Sequence, residues 1–336
     1  MAFSGLTGWF RGNKPESLGN RATSAVSFAE LSDKELRDIG GHAQVSGATG
    51  QAIEYFRAVY ERNPPTELSL GEYCRALIRG GDWDTVKRLA RETDFRVFDP
   101  KRWAFLHDLD EHERQIYLEV VLEACQTPEA IASLSRTIRY IVENKIEGDF
   151  VECGVYKGAS IVCIIRTLQT LGISDRSIWL YDTFEGMPRP EPIDEFYYQT
   201  AEDDFSVKTW DKRRRDDGSG GSDWVYGPLS EVKSYIERTG YPADRIKFIK
   251  GMVEDTIPTT APERISLLRL DTDFYRSTRH ELLHLYPRLM SGGVLIVDDY
   301  GAYRGSRQAT DEYISENKLR LFLSRIDEHV RLAIKP

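Results

Sequence analysis

The 336-residue chain lacks the features that indicate a membrane span or a nucleic-acid partner. No apolar run approaches the roughly 20 residues that a transmembrane helix needs. Positive charge is not in excess either, because 45 Lys and Arg stand against 54 Asp and Glu, a formal net charge of −9. This balance argues against the phosphate backbone of a nucleic acid as the main partner. Residues 1–21 contain no apolar segment followed by a cleavage site, so we expect no secretory signal.

Cysteine is also scarce. Two of the four cysteines, Cys153 and Cys163, fall in an apolar strand and an apolar helix, where a thiol packs as a small core residue. None of the four has a metal-binding or disulfide spacing, so we expect a reduced, cytoplasmic compartment. Hydrophobic residues make up 40% of the chain, enough to build folded cores and to exclude disorder throughout.

The N-terminal part, up to residue 145, is predicted to be helical. Residues 1–25 are polar, and we expect a flexible tail there. From residue 48 onward, apolar residues recur at helical spacing and are interrupted at Asn63-Pro64-Pro65 and at Gly80-Gly81, which is typical of helical hairpins. Residues 70–89 also resemble one tetratricopeptide repeat, although about three are needed for a stable array. The 26–145 region is therefore either a recognition surface or a packing element, and it favours a homo-oligomer.

From residue 146 to the C-terminus, short apolar strands alternate with helices. This alternation predicts an α/β fold with a doubly wound parallel sheet that is covered on both faces. Residues 319–334 predict a closing β-hairpin around Ile326-Asp327-Glu328. The predicted parallel strands are residues 149–153, 177–181, 246–249, 265–270 and 294–297.

The first predicted strand leads into a glycine-containing turn that begins at Glu152 and reaches Ser160. Gly154 and Gly158, on either side of Tyr156, allow a ligand to approach the backbone closely. A dinucleotide site would have the spacing G-x-G-x-x-G and would bind pyrophosphate at the helix N-terminus. A glutamate beside the turn instead suits a ligand with a positively charged end, such as S-adenosylmethionine.

The next two strands also end in acidic residues, at the edge where open sheets bind ligands. Asp182, followed by Thr183 and Phe184, is placed to accept hydrogen bonds from ribose hydroxyls; its alternative role is a turn or cap residue. After the third strand, Glu254 or Asp255 is a candidate acceptor for an adenine amino group. Asp255 could equally cap the helix that follows.

Four aspartates follow the fourth and fifth strands. Asp271 and Asp273 end the fourth strand, and Asp298 and Asp299 end the fifth. Because like charges so close repel one another, a hard divalent cation such as Mg²⁺ among them is favoured. We expect the metal ligands to be Asp271, Asp298 and Asp299, with Asp273 as general base. The alternative is that Asp298-Asp299 only caps the next helix.

Two histidines, His280 and His284, have the i, i+4 spacing of a zinc pair. The glutamate of a zincin motif is missing, and no third ligand is evident, so packed or surface histidines are favoured. They remain the fallback choice for the general base.

These motifs together resemble the macrocin O-methyltransferase family, whose members methylate sugar hydroxyls. The closing hairpin is likewise typical of class I methyltransferase sheets, which are Rossmann-like. The resemblance covers residues 146–312 in family order, through the phrases GDFVECGVYKGAS, YDTFEGMP, KGMVEDTIP, LLRLDTDFYRST, LYPRLMSGGVLIVDDYG and RQATDEY. It implies natural product biosynthesis, with Mg²⁺ on Asp271, Asp298 and Asp299 and with Asp273 as base. It also implies an S-adenosylmethionine site formed by Glu152, Gly154, Ser160, Asp182 and Asp255.

The sequence departs from the family pattern in two places. Tyr156-Lys157 stands where the family has Trp-Arg, and residues 206–227 form a longer segment rich in Gly, Ser and Asp. We expect this segment to close over the substrate. Residues 213–215, three consecutive arginines, either meet an anionic acceptor or form a solvated charge run.

The expected reaction is methyl transfer to one hydroxyl of a vicinal pair on a sugar or glycoside, with a catechol as the alternative acceptor. Two other classes of protein are also considered. A nicotinamide oxidoreductase fits the glycine spacing and the paired aspartates poorly. A non-catalytic binding protein that uses the helical region is the second alternative.

Overall fold

The computed structural model describes residues 28–62, 67–82, 85–86, 88–89, 109–120, 123–197, 205–217 and 220–336. The chain divides into two compact units, Met1–Ala104 and Phe105–Pro336. The tail predicted for residues 1–25 lies outside the described residues. Within the described parts of the chain, no helix has the length and apolar character needed to cross a membrane.

The described residues of the first unit include the helices α1 (Asp33–Val45), α2 (Thr49–Tyr60) and α3 (Glu67–Arg79), which confirms the helical prediction for this region. The start of α1 is a capping box. The Ser32 hydroxyl accepts a hydrogen bond from the backbone N–H of Glu35 at 3.3 Å, and the Glu35 carboxylate accepts one from the N–H of Ser32 at 2.9 Å. Much of the predicted third segment, including Trp83 and Asp84, lies outside the described residues.

The second unit is built on a seven-stranded sheet with strand order β3-β2-β1-β4-β5-β7-β6. The first five strands are parallel, and β7 pairs with β5 and with β6 in antiparallel register. This topology confirms the predicted doubly wound sheet and its closing hairpin. The strands are β1 (Asp149–Cys153), β2 (Ile178–Asp182), β3 (Ile246–Lys250), β4 (Ile265–Leu270), β5 (Leu289–Val297), β6 (Ser324–Arg325) and β7 (Arg331–Ile334).

Helices cover both faces of this sheet. Alternate strand residues face opposite cores, so that Phe150 packs with one apolar cluster and its neighbour Val151 with the other. The helices are α4 (Glu111–Val120), α5 (Pro128–Glu143), α6 (Ala159–Thr170), α7 (Phe205–Arg213), α8 (Leu229–Glu237), α9 (Val253–Thr256), α10 (Tyr275–Leu285) and α11 (Arg304–Glu316). The order of strands reverses between β1 and β4, and the carboxyl ends at such a reversal are where open α/β sheets bind ligands.

Helices α4 and α5 belong to the same compact unit as the sheet, whereas the sequence placed residues up to 145 with the N-terminal helices. Ile131, Ile138 and Ile141 on α5 are buried in one cluster with Phe150 of β1. The change from helical to alternating pattern at residue 146 therefore marks the start of the sheet and not the start of the unit, because an amphipathic helix must bury its apolar face.

Strand β5 is longer than the predicted 294–297 and begins at Leu289. Gly292 and Gly293 are turn signals in the sequence. In the structure they lie within the strand, where its pairing with β4 shifts register between Ile265 and Leu267. Gly292 adopts φ 79°, a left-handed conformation that glycine tolerates without strain.

The N-terminus of α5 is tied to the closing hairpin through Thr127. Its hydroxyl accepts a hydrogen bond from the backbone N–H of Ala130 at 3.1 Å and donates one to the carboxylate of Asp327 at 2.5 Å. Asp327 in turn accepts the backbone N–H groups of His329 and Val330 within the hairpin turn. We predict that Thr127→Ala lowers the free energy of unfolding by about 1–2 kcal/mol, because it removes a helix cap and the partly buried hydrogen-bond partner of Asp327.

Urea denaturation measures this loss, and Thr127→Ser is the matched control because it retains the hydroxyl. Equal stability of the two variants would show that the hydroxyl does not connect helix and hairpin.

Candidate functional site

The predicted glycine turn lies directly against the end of β4. Gly154 has φ 84°, and a Cβ at this position would lie 1.9 Å from the carbonyl oxygen of Asp271. The Asp271 N–H donates to the carbonyl of Cys153 at 2.8 Å, so the two strand ends are joined. Gly154 is therefore required by the approach of β4, and this approach brings the turn next to the aspartates.

Asp182 holds that turn in place. One carboxylate oxygen accepts the backbone N–H groups of Val155 at 2.7 Å and Tyr156 at 3.0 Å, and the other accepts the N–H of Phe184 at 2.6 Å. Burial raises the pKa of Asp182, and these three N–H groups oppose that rise. The structure thus gives Asp182 a loop-holding role, and its contact with ribose stays a prediction.

Both loops contain residues in the left-handed region, Tyr156 at φ 49° and Phe184 at φ 52°. The Thr183 hydroxyl donates to the carbonyl of Gly186 at 3.0 Å and accepts the N–H of Glu185 at 3.1 Å. Such strained residues persist only where the surrounding contacts determine the conformation, as the hydrogen bonds to Asp182 and Thr183 do here.

Glu152 is fully buried at the end of β1. It accepts a hydrogen bond from the Ser160 hydroxyl and pairs with Arg269 at 3.0 Å. Its other oxygen has no hydrogen-bond partner among the described residues. Burial raises the pKa of Glu152 to about 7, against the opposing effects of Arg269 and Ser160. Gly158, with φ 87°, is the residue that precedes α6.

The two acidic candidates after β3 differ in exposure. Asp255 is exposed, whereas Glu254 is partly buried and lies 3.6 Å from Arg276. One oxygen of Glu254 is buried and has no partner among the described residues. The residue at the cap position of α9 is Met252, so Asp255 does not cap this helix.

The predicted aspartates do gather at one edge of the sheet. Asp271, Asp273 and Asp299 each place one carboxylate oxygen within 4.8 Å of the others. One oxygen of Asp299 is buried without a partner among the described residues. Burial and the nearby charge of Asp271 raise the pKa of Asp273 to about 8. The pKa values of Asp271 and Asp299 are also raised, first by burial.

The fourth aspartate, Asp298, has a different partner. One of its oxygens accepts a hydrogen bond at 2.5 Å from Arg269, a buried residue near the carboxyl end of β4 that our sequence analysis missed. Arg269 also contacts Asp271 at 2.6 Å. The sequence did contain a signal for this role. A single arginine stands within the apolar strand ISLLRL, two residues before the first aspartate, and a buried arginine is almost always paired with acidic groups.

The backbone at Asp273 is bent sharply. Asp273 has φ 66°, and the N–H of Phe274 donates to the carbonyl of Thr272 at 2.7 Å, which is the hydrogen bond of a γ-turn. The hydroxyl of Thr272 donates to Glu281 of α10 at 2.9 Å. Glu281 is fully buried and is a second residue that the sequence did not single out. It supports the turn that carries Asp273.

The histidine pair lies elsewhere in α10. The His280 ring contacts the carbonyl of Ile257 at 2.9 Å, and its centroid is 4.4 Å from that of His284. Among the described residues, the group of side chains that could hold a metal ion consists of Asp271, Asp273 and Asp299 and contains neither histidine. The His280 ring packs against His284 and contacts the backbone of Ile257.

The long segment after β2 is partly described, and it packs against the loop that follows Asp182. Arg215 pairs with Glu185 and with Asp217, and its guanidinium lies 4.2 Å from the ring centroid of Tyr226. Of the three consecutive arginines, this one therefore has a structural role. Trp224 of the same segment packs in an apolar cluster with Phe274 and Tyr303 beside Asp273. The closing motion predicted for this segment stays a prediction.

Glu281 generates a pH-dependent prediction. Burial raises its pKa to about 8, and the charge of Glu254 adds to the rise while Thr272 opposes it. The folded state therefore keeps a proton that the unfolded state releases, and stability falls as pH rises from the ordinary glutamate value to about 8. Glutamine at position 281 cannot ionise. We therefore predict that the free energy of unfolding of Glu281→Gln rises relative to that of the original protein across this window, by at most about 1.4 kcal/mol per pH unit.

Urea unfolding between pH 4.5 and 9 tests this expectation, with Glu237→Gln on the exposed surface of α8 as control. An advantage of Glu281→Gln that does not change with pH would contradict the assignment of a buried neutral carboxyl.

Comparison with known proteins identifies the family. Over 195 residues the chain is 32% identical to 8-demethyl-8-(2,3-dimethoxy-alpha-L-rhamnosyl)-tetracenomycin-C 4'-O-methyltransferase from Streptomyces olivaceus, a match that covers 58% of this chain and 69% of the relative. It is 29% identical to mycinamicin III 3''-O-methyltransferase from Micromonospora griseorubida, covering 54% of this chain and 66% of the relative. The structure of the O-methyltransferase NovP shares the fold with a TM-score of 0.54 at 24% identity, over 63% of this chain and 82% of that chain. The family model for macrocin-O-methyltransferase (TylF) matches residues 127–332. Because this match spans more than half of the chain, the protein belongs to the macrocin O-methyltransferase family and is an O-methyltransferase.

Proposed function

We propose that the protein transfers a methyl group from S-adenosylmethionine to a hydroxyl of a sugar or glycoside, with a divalent cation, Mg²⁺ first, at the aspartate cluster. The observation that carries this proposal is the position of the cluster. Asp271 lies beside the glycine turn at the point where the strand order reverses, so a methyl donor at the turn would adjoin the aspartates.

The donor site is proposed at the ends of β1, β2 and β3. Glu152 supports this assignment because its second oxygen is buried, has no hydrogen-bond partner in the described part of the chain, and suits a donor such as an ammonium group. Asp182 pre-organises the turn through its contacts with backbone N–H groups. The proposed contacts are Glu152, Gly154, Tyr156, Gly158, Ser160, Asp182, Thr183, Phe184, Glu254 and Asp255.

The side chains present fit a hard cation. Three partly buried carboxylates place oxygens within 4.8 Å of one another, and Asp299 has an oxygen without a partner among the described residues. Within the described part of the chain, the cation that contacts these acidic residues is Arg269, which pairs with Glu152, Asp271 and Asp298. Asp273 and Asp299 are left with raised pKa values, which favours a further positive charge. The proposed ligands are Asp271, Asp298 and Asp299.

The roles of the protein's own groups follow from this arrangement. When bound, the cation supplies charge that lowers the pKa of an acceptor hydroxyl. Asp273 takes the hydroxyl proton as the oxygen forms its bond to the methyl carbon and the sulfonium–methyl bond breaks. The γ-turn and Glu281 hold Asp273 at a defined position, which contributes orientation.

A ring-shaped acceptor is supported by the surroundings of Asp273. Phe274, Trp224 and Tyr303 form an apolar cluster next to it, and such aromatic side chains pack well against rings. The name of the Streptomyces olivaceus relative includes a rhamnosyl group, which supports a sugar. The aromatic cluster also makes a catechol-type diol the second candidate acceptor.

The separation of base from ligands gives a testable prediction. We expect Asp273→Asn to retain Mg²⁺ binding and to lower turnover by roughly 10²- to 10⁴-fold, the range of a general base. Asp298→Asn and Asp299→Asn should lose Mg²⁺ binding together with turnover. Calorimetric titration of Mg²⁺ and release of adenosylhomocysteine over glycosides and catechols measure the two effects, and the surface variant Asp244→Asn is the control.

The opposite result for Mg²⁺ binding by these variants would identify a different set of ligands. If Asp273→Asn abolishes Mg²⁺ binding and Asp298→Asn does not, the ligands are the three grouped carboxylates, Asp271, Asp273 and Asp299, and another group is the base. Turnover that survives complete chelation of divalent cations would contradict the metal assignment, and failure to bind S-adenosylmethionine would contradict the donor assignment.

A further inference from the structure

Arg269 is the residue that connects the donor end of the site with the aspartate end. Its side chain is 3% exposed, and one guanidinium nitrogen contacts Glu152 at 3.0 Å and Asp271 at 2.6 Å. A second nitrogen contacts Asp298 at 2.5 Å. One arginine thus meets acidic residues from the ends of three adjacent strands, β1, β4 and β5.

The sheet register explains why one arginine can do this. Arg269 is the register partner of Glu152 on β1 and of Ile296 on β5. Asp271 lies two residues after Arg269, and Asp298 lies two residues after Ile296. Because alternate residues of a strand face the same side of a sheet, both aspartates point to the same face as Arg269 and Glu152. The planar guanidinium offers five donors in a fixed arrangement, which suits several carboxylates at once.

We propose that Arg269 is a positioning residue for the cation site, which holds Asp271 and Asp298 in the orientation that binds the metal. This inference rests on the proposed function. Each of these carboxylates gives one oxygen to the guanidinium, so its rotation is restricted before any ligand arrives. A lysine has a compact ammonium on a flexible stem and does not reproduce the planar contacts.

The competing explanation is that Arg269 only neutralises buried carboxylates. The two explanations predict opposite changes in Mg²⁺ affinity when the charge of Arg269 is removed, because a fixed positive charge beside a cation site repels the cation. If Arg269 only neutralises, Arg269→Met makes the site more negative and strengthens Mg²⁺ binding, and Arg269→Lys leaves it unchanged. If Arg269 positions the aspartates, both variants bind Mg²⁺ more weakly, despite the more negative site in Arg269→Met.

The experiment is calorimetric titration of Mg²⁺ alone into the full chain, repeated with Mn²⁺ and followed by the loss of the free-ion electron paramagnetic resonance signal. We expect a Kd at least about tenfold weaker for Arg269→Lys and Arg269→Met. Arg264→Met is the matched control, because Arg264 precedes the same strand but is exposed and pairs with exposed Glu147. This variant should bind Mg²⁺ like the original protein.

Arg269→Met removes the cation from buried Glu152 and from partly buried Asp271 and Asp298, so its folding is checked by circular dichroism. If it does not fold, Arg269→Lys carries the test, since it keeps the charge. The double variant Glu152→Gln/Arg269→Met, which removes one charge of each sign, is measured beside it. Weaker binding in these variants supports positioning, and unchanged or tighter binding overturns it.

The outcomes separate this inference from the proposed function. If the original protein binds Mg²⁺ and the Arg269 variants bind it equally well or better, the positioning role is wrong and the metal assignment stands. If the original protein binds neither Mg²⁺ nor Mn²⁺, the metal assignment fails and the positioning role fails with it.

Discussion

The crowding of carboxylates at one edge of the sheet is the constraint to which the rest of the site responds. Glu152, Asp271, Asp273, Asp298 and Asp299 come from three adjacent strands and lie in largely buried surroundings. Removing charge from water is costly, and like charges add to the cost, so these groups need cations or protons. Arg269 contacts three of them, and the raised pKa values of Asp273 and Asp299 show that its charge does not compensate the whole group.

Side chains of the fold hold the backbone around this edge. Asp182 accepts three backbone N–H groups from two loops, and Gly154 lets the end of β4 approach to a distance that no side chain would allow. These contacts order the glycine turn during folding. A donor molecule that binds there loses less free energy to loop ordering than it would on a flexible loop.

The base candidate occupies a strained turn that is supported from behind. Asp273 has a positive φ, and the neighbouring Thr272 is held by the buried carboxyl of Glu281. A fully buried glutamate with a raised pKa costs stability as the pH rises, so the support of this turn reduces stability in alkaline conditions. Such a trade between stability and a defined catalytic geometry is common at active sites.

The sequence by itself determined the doubly wound sheet, the closing hairpin and the edge at which the acidic residues meet. Strand and helix patterns are local, and parallel topology brings the carboxyl ends of strands together, so these features needed no coordinates. The family resemblance was likewise carried by contiguous phrases. Which compact unit contains α4 and α5 was decided only by the tertiary structure, because that depends on what their apolar faces pack against.

The partners of the individual charged residues were also decided only by the tertiary structure. Sequence reasoning placed four aspartates together and inferred a cation, but it could not see that Arg269 faces Asp298 and Asp271, or that Asp182 is already occupied by backbone N–H groups. Strand alternation predicts the face on which a side chain lies, whereas a hydrogen bond depends on strand register and on distances of a few tenths of an ångström. Register and distance arise from the packing of the whole sheet, and for that reason the contacts of this site are properties of the fold.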